Sequence, residues 1–348
     1  MKIALTTVQI PFVFGGAEFL CNNLKDALTK AGHEVSIVTM PFVDNPAPRL
    51  ENHIIASRLM DINESWGGHI DLCIGLKFPA YFMPHENKVM WILHQHRAAY
   101  DLFDTGFSNL RDTVDGRYYR DIVKRADETY IPEAKRVYTI AKNVSNRMKH
   151  FNNLDSTPLY HPCPDMDKFY CGESENYILM PSRINVIKRQ TLAIEALSKT
   201  KSNIKIYFVG APDQDEARKM FEDCVDKFKV RDRVKCFDFV PQEEKIKLYA
   251  NARAVIFIPR DEDYGYVTLE GMAASKPVIT TKDSGGPLEF VVDNKTGMVC
   301  DPTPEALAEA MDEFAKSDKF AIEMGQKAKA HLEEMEITWE RVVKELTK

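Results

Sequence analysis

A stretch at residues 261–278 constrains the fold of this chain more than any other. The apolar run of residues 254–258 before it has the composition of a buried strand, and a helix is predicted to begin near Val267, after a turn that contains Gly265. In open α/β sheets, the turn after such a strand lines the crevice in which ligands bind. The sequence therefore predicts a parallel α/β domain with a ligand site at this turn.

Two carboxylates belong to this strand–turn–helix unit. Glu262 is predicted on the loop and Glu270 in the first turn of the helix, with seven residues between them. Both are expected to face the crevice together with free backbone N–H groups of residues 264–268, because a helix start presents unsatisfied donors and favours anions. Carboxylates accept bonds from hydroxyls and N–H groups donate to phosphates. A sugar nucleotide, which carries both hydroxyls and phosphates, is the predicted ligand.

This unit resembles the E-x7-E motif of the retaining glycosyltransferases of family four. The motif follows a strand, contains the Tyr264-Gly265-Tyr266 turn and precedes the run K-P-V-I-T. The alternative explanation is one solvated loop acid and one acid that stabilises the helix dipole by ~0.3–1 kcal/mol. The resemblance assigns Glu262 to the hydroxyls of the transferred sugar and Glu270 to the ribose. It implies that the donor is bound by Glu262, Tyr264, Gly265, Tyr266, Val267 and Glu270.

The resemblance also implies an overall architecture. This is the GT-B fold, an α/β arrangement of two Rossmann-like β/α/β domains that face each other across a cleft, with a C-terminal helix that crosses back to the first domain. A length of 348 residues suits two domains. Pro162, Pro164 and the polar stretch after them predict a boundary. Residues 1–165 are expected to form the acceptor-side domain, residues 166–335 the nucleotide-sugar-binding domain, and residues 336–348 the returning helix.

The first domain is predicted to begin with a β–turn–α–β unit. Its turn, Phe14-Gly15-Gly16-Ala17-Glu18, lacks the G-x-G-x-x-G dinucleotide fingerprint, which disfavours a nicotinamide enzyme. Adjacent glycines at a helix start let backbone N–H groups approach an anion closely, although loops use such pairs equally often for structure alone. The resemblance implies that Gly15 and Gly16 lie against the donor diphosphate and that Glu18 contacts the acceptor.

Two histidines follow the predicted strand of residues 88–93, at the edge of the sheet where ligands bind. The resemblance places a histidine close to the reacting sugar, and His94 is the better match. The alternative is that the histidines cap the strand and pair with Asp101 or Asp104. His96 and Arg97 are predicted to bind the acceptor, and a structural role is equally open for both.

A basic pair marks the strand-to-helix turn after residues 177–181. Arg183 and Lys188 are five positions apart, so both can reach one anion at the end of the strand. Basic groups at a helix start oppose the helix dipole, so an anionic ligand explains them better than a solvated surface does. The resemblance assigns both to the donor diphosphate, which they neutralise as it leaves. Family members often have glycine after this lysine, where this chain has Arg189.

No metal ion or other cofactor is predicted. The chain contains three D-x-D triplets, beginning at Asp165, Asp213 and Asp261, of the kind that binds Mn²⁺ or Mg²⁺ in single-domain transferases. Chance explains three triplets in a chain with 52 acidic residues, and the basic pair makes a metal unnecessary. The donor substrate is expected to be a UDP- or GDP-sugar.

Composition limits the partners and the location. A net charge of −6 disfavours nucleic acid. Residues 110–150 hold ten Lys and Arg against six Asp and Glu, a surplus that suits either anionic lipid headgroups or a solvated helix face. Scattered cysteines, a first strand in place of a signal peptide and the lack of a membrane-length apolar run predict a cytoplasmic protein, with peripheral contact at the inner face of the membrane left open.

These features predict a retaining glycosyltransferase of the hexosyltransferase class. By resemblance, the acceptor hydroxyl attacks on the side of the leaving phosphate, which takes its proton. The usual acceptors of the family favour a cell-envelope polysaccharide or a lipid-linked glycan. Two alternatives remain: a sugar-nucleotide epimerase or hydrolase on the same fold, and a non-catalytic subunit that supports a partner. The intact set of Arg183, Lys188, Glu262 and Glu270 disfavours the second alternative.

Overall fold

The computed structural model describes residues 1–12 and 15–348. The chain divides into two compact units, one formed by Met1–Pro164 together with Thr338–Lys348 and the other by Asp165–Ile337. No helix among the described residues is both long and apolar enough to cross a membrane. Each unit has its own parallel sheet flanked by helices, as the α/β prediction requires.

The first unit is built on a six-stranded parallel sheet in the order β2-β1-β5-β6-β7-β8. The central strands are buried along almost their whole length, as expected for parallel strands covered on both faces. The strands, which include a short separate β3–β4 hairpin, are β1 (Lys2–Gln9), β2 (Glu34–Pro41), β3 (Glu64–Ser65), β4 (Gly68–His69), β5 (Leu72–Gly75), β6 (Lys88–Ile92), β7 (Arg136–Thr139) and β8 (Thr157–Pro158). The helices are α1 (Gly16–Lys30), α2 (Pro48–Leu59), α3 (Val114–Tyr130) and α4 (Lys142–Asn152).

The second unit repeats this plan with a six-stranded parallel sheet in the order β11-β10-β9-β12-β13-β14. Its core joins apolar side chains of the strands to those of four helices, for example Phe208, Phe221 and Phe314. The strands are β9 (Tyr177–Pro181), β10 (Lys205–Val209), β11 (Val234–Phe237), β12 (Ala254–Ile256), β13 (Val278–Thr281) and β14 (Gly297–Cys300). The helices are α5 (Gln190–Lys199), α6 (Asp215–Phe228), α7 (Gln242–Asn251), α8 (Tyr266–Ala273), α9 (Pro304–Lys316) and α10 (Asp318–Glu334).

The last helix, α11 (Trp339–Leu346), belongs to the first unit. Its N-cap Thr338 accepts a hydrogen bond from the N–H of Arg341. Trp339 stacks on His161 with ring centroids 5.9 Å apart, and Leu346 is fully buried. The predicted return of the C-terminal helix to the first domain is thereby confirmed, and burial of its apolar face is the physical reason for it.

We expect Leu346→Ala to lower the free energy of unfolding of the first unit by about 2–5 kcal/mol, because the truncation leaves a cavity where α11 packs. All three tryptophans of the chain lie in the first unit, so urea unfolding followed by tryptophan fluorescence reports on that unit. The exposed Glu340 of the same helix provides the control variant, Glu340→Ala, which should leave the transition in place. If the two variants shifted the midpoint of urea unfolding equally, this role of α11 would be contradicted.

Candidate active site

The loop between β12 and α8 is shaped by two glycines. Gly265 is the N-cap of α8 and has a φ of 94°, a left-handed conformation that favours glycine. A Cβ on Gly286 would lie 2.5 Å from the carbonyl oxygen of Tyr264, so only glycine allows this close approach of two backbone segments. The two glycines hold the loop of residues 261–265 against the turn that follows β13.

Glu262 is fixed in this loop by its backbone. Its N–H donates to the carbonyl of Ser284 at 2.8 Å, and its own carbonyl accepts from the N–H of Gly286 at 2.8 Å. These bonds continue the parallel pairing of β12 with β13 beyond the strands. The Glu262 side chain therefore starts from a well-defined position at the carboxyl end of the second sheet.

The structure brings Lys188 and Glu262 together as a partly buried ion pair. Lys188 lies on the turn after β9, where its N–H donates to Oδ1 of Asn185 at 2.9 Å. Its Nζ also lies 5.2 Å from the ring centroid of Phe257. A cation for phosphate and a carboxylate for hydroxyls thus meet at one point on the sheet edge.

Arg183 does not join this ion pair. Its side chain is 68% exposed and its Nη1 donates to Oδ1 of Asp213 at 2.9 Å. The convergence of Arg183 and Lys188 on one anion therefore stays a prediction. Asp213 also accepts a bond from the side chain of Asn185 at 2.8 Å, which ties it to the same turn.

Arg189 occupies the position at which the resembled family often has glycine, and the backbone explains why. Its φ is 58°, in the left-handed region that glycine adopts without strain. The guanidinium donates two bonds to Asp283, at 2.8 and 2.6 Å, and lowers the pKa of that carboxyl. This bidentate pair links the turn after β9 to the turn after β13 and offsets the backbone strain.

Glu270 lies in the second turn of α8, so its predicted place in the first turn was wrong. The helix begins at Tyr266. The Glu270 carboxylate is buried and accepts bonds from Nζ of Lys245 at 2.6 Å and from the hydroxyl of Tyr249 at 2.5 Å. Sequence reasoning missed both partners, although their i, i+4 spacing on α7 places them on one helix face.

The predicted row of free N–H groups at the start of α8 is shorter than expected. The N–H of Thr268 donates to the carbonyl of Gly265 at 3.0 Å, so it does not meet a ligand. Tyr264 and Gly265 precede the helix, and Tyr266 and Val267 are its first two residues. Thr268 therefore drops out of the predicted row of donors.

In the first unit, the Gly-Gly turn opens α1. Phe14 lies outside the described residues. Gly15 is the extended N-cap, Gly16 is the first helical residue, and the Glu18 carboxylate accepts from the N–H of Gly15 at 2.8 Å. Lys77 follows β5, the neighbour of β1 in the sheet, and burial lowers its pKa while Glu18 opposes that shift. Sequence reasoning missed Lys77, although its position two residues after a predicted strand was visible.

The segment after β6 carries His94, His96 and Arg97. Nδ1 of His94 lies 2.7 Å from the carbonyl oxygen of Gln95, and this ring is half-buried. Nε of Arg97 donates a hydrogen bond to Asp101 at 3.0 Å. The alternative prediction had paired a histidine with this acid. His94 therefore stays a candidate for the sugar.

His96 is buried and packs on Phe78, with ring centroids 5.2 Å apart. Burial lowers its pKa to about 4, so the imidazole is uncharged at neutral pH. Its Nε2 has no hydrogen-bond partner within the described ranges. A depression of about 340 Å³ is lined by Asp44, Asn45, His96, Arg97, Ala98, Leu102, Phe107 and Asn109.

Two acids of the D-x-D triplets have basic partners. Asp165 pairs with Lys168 at 2.7 Å and Asp213 pairs with Arg183. Across residues 1–12 and 15–348, no group of three or more His, Cys, Asp or Glu side chains is placed to hold a metal ion.

Residues 165–331 match the family model described as "Glycosyl transferases group 1". The chain is 26% identical to the alpha-1,3/1,6-mannosyltransferase ALG2 of Dictyostelium discoideum over 259 residues, 69% of this chain and 61% of that relative. The mouse protein of the same name is 37% identical over 91 residues, only 22% of its length. The chain thus spans less than two thirds of these relatives.

Solved structures share the fold across both units. Sucrose-phosphate synthase from Thermosynechococcus elongatus superposes with a TM-score of 0.79 at 16% identity, covering 99% of this chain and 97% of that one. Anabaena HepE in complex with UDP-glucose has a TM-score of 0.74 at 16% identity and covers 100% and 98%. Residues 165–331 therefore resemble the group 1 glycosyl transferases, and the chain has the GT-B fold that its resemblance to family four predicts.

Proposed function

We propose that the chain is a retaining glycosyltransferase that moves a sugar from a UDP- or GDP-sugar to a hydroxyl acceptor without a metal ion. The observation that carries this proposal is the Lys188–Glu262 ion pair at the carboxyl end of the second sheet. It unites the two kinds of group that a nucleotide-diphosphate sugar needs, a cation for the diphosphate and an acceptor for sugar hydroxyls.

Binding of the diphosphate is assigned to Arg183, Lys188 and the backbone N–H groups of residues 264–267. Arg183 is largely exposed and Lys188 is partly so, so both can exchange an acidic side chain for a phosphate. A helix start and two cations stabilise the negative charge that grows on the leaving diphosphate. This electrostatic role is the one a metal ion fills in other transferases.

The ribose is assigned to Glu270. Lys245 and Tyr249 each use one lone pair of its carboxylate, and a carboxylate has about four such sites. Glu270 can therefore accept a further bond from a ribose hydroxyl without losing its partners. The name of one relative refers to a mannosyltransferase and one structural neighbour was solved with UDP-glucose, which supports a nucleotide sugar and leaves both bases open.

The transfer itself is assigned to the face of the sugar from which the phosphate departs. The acceptor oxygen bonds to the anomeric carbon as the bond from that carbon to the phosphate oxygen breaks. The acceptor proton passes to the departing phosphate, so no protein base is required. Glu262 is assigned to the hydroxyls of the transferred sugar, and the role of His94 toward that sugar is carried over from the family resemblance.

The acceptor is assigned to the first unit, with Glu18, His96 and Arg97 as contacts. The depression beside His96 has a volume of about 340 Å³ and is lined by both polar and apolar side chains, which suits a ring that carries hydroxyls. A glycan or a lipid-linked glycan in the cytoplasm has this chemistry. The basic surplus in residues 110–150 favours peripheral contact with anionic lipid.

A thermal-shift screen against UDP- and GDP-sugars should identify one stabilising donor, because a ligand that binds only the native state raises the melting temperature. Incubation of that donor with hydroxyl acceptors should give a product whose anomeric configuration, read from proton NMR couplings, equals that of the donor. Turnover should persist in EDTA.

Three results would contradict the proposal. Inversion of the anomeric centre would exclude a retaining mechanism, and loss of turnover in EDTA with recovery in Mn²⁺ would exclude metal independence. Release of free or epimerised sugar with every acceptor would favour a hydrolase or epimerase on this fold.

Arg183→Ala and Lys188→Ala should each weaken binding of the identified nucleotide sugar at least about tenfold, the cost of removing one charge-assisted hydrogen bond. Arg231→Ala is the matched control, because Arg231 has its own acidic partners on α6 but lies at the other end of the sheet strands. Calorimetric titration provides the affinities. Unchanged affinity in both site variants would contradict the assignment.

A further inference from the structure

A buried carboxylate in the first unit forms the centre of a hydrogen-bond network. Asp127 accepts from the hydroxyl of Tyr81 at 2.8 Å, from the hydroxyl of Tyr100 at 2.6 Å and from Nε2 of Gln95 at 2.8 Å. Asp127, Tyr81 and Gln95 are fully buried, and Tyr100 is 3% exposed. Asp127 plays no part in the chemistry proposed above. Its three donors come from two segments of the chain, Tyr81 from one and Gln95 and Tyr100 from the other.

Gln95 is the link between this network and the candidate site, since it lies between His94 and His96. Its amide nitrogen donates to Asp127 and also to Oδ1 of Asn152 at 2.9 Å. Asn152 in turn donates to the hydroxyl of Tyr100 at 3.2 Å. Both amide hydrogens of Gln95 are therefore used, which fixes its side chain between α3 and the end of α4.

Gln95 also contacts His94, through its backbone carbonyl group. The carbonyl of Gln95 lies 2.7 Å from Nδ1 of His94, and a carbonyl only accepts, so this nitrogen carries the hydrogen. On the other side, the N–H of Ala99 donates to the carbonyl of His96 at 2.8 Å. A change in the Gln95 side chain would therefore shift both the ring of His94 and the turn that holds Arg97.

Burying an ionised carboxylate costs free energy, and the three hydrogen bonds that Asp127 accepts must offset that cost. Burial raises the pKa of Asp127 to about 6, so the group is ionised at neutral pH despite its environment. Apolar groups of the same shape in place of both the carboxylate and its donors can be nearly neutral for stability, so stability alone does not require such a network. An ionised carboxylate that accepts three bonds instead imposes direction on its donors.

We propose that Asp127 is a positioning residue for the transfer reaction, which acts through Gln95 to orient the segment that carries His94 and His96. The inference rests on the proposed function, because the roles of these histidines come from it. A purely structural role of Asp127 is the alternative, and it would change stability without changing the contribution of His94.

Hydrogen exchange followed by mass spectrometry tests the positioning directly. In Asp127→Asn the amides of residues 94–100 should exchange about tenfold faster, because an amide cannot accept all three bonds and the segment opens more readily. Asp312→Asn is the control, since Asp312 is also buried and accepts backbone bonds, but in the second unit. It should leave residues 94–100 unchanged.

A double-mutant cycle tests the link to the reaction, with nucleotide release from UDP-glucose and from GDP-mannose as the assay. Asp127→Asn should lower kcat at least about tenfold with little change in donor KM, and it should add almost no further loss in a His94→Ala background. Asp312→Asn should retain the wild-type kcat.

The outcomes distinguish a failure of the role proposed for Asp127 from a failure of the proposed function. Equal fold losses in the wild-type and His94→Ala backgrounds, or unchanged exchange at residues 94–100, would overturn the role of Asp127. If wild-type protein releases nucleotide from neither donor, the exchange result alone decides whether Asp127 orients the segment, and it is the proposed function that the missing turnover opposes.

Discussion

The ion pair of Lys188 with Glu262 is the interaction on which the rest of this account depends. It joins the turn after β9 to the loop before α8, two segments that are distant in the chain. Beside it, Arg183 pairs with Asp213 and Arg189 pairs with Asp283. Each of these three cations thus has an acid from a neighbouring loop. Three clustered cations would repel one another, and these acids neutralise them until the proposed donor brings its own negative charge.

The backbone of the second unit is shaped to hold that arrangement. Gly286 permits the close approach of two loops, Gly265 turns the chain into α8, and Arg189 keeps a left-handed conformation. Strain of this kind persists only where the surrounding structure over-determines it. Here the two bonds from Arg189 to Asp283 supply that support. The site is consequently a rigid frame with exchangeable side-chain partners, which is what recognition of a charged substrate requires.

Much of the fold followed from sequence pattern, because buried parallel strands give continuous apolar runs and glycines mark the turns between them. The position of Glu262 could be predicted in the same way, from the strand and turn around it. The partners of Glu270 could not, since Lys245 and Tyr249 come from another helix and periodicity does not tell which faces meet. For the same reason the pairing of Arg183 with Asp213 was not foreseen.

The central claim is that Glu262 holds the place beside Lys188 that a donor diphosphate takes. Calorimetric titration of Glu262→Gln with UDP and GDP tests it most directly, because the substitution removes the competing charge and keeps the shape. The nucleotide that binds the wild type should bind this variant about two- to fivefold more tightly, in keeping with the modest strength of a partly exposed ion pair. Unchanged or weaker binding of that nucleotide, or binding of neither nucleotide by the wild type, would contradict the account.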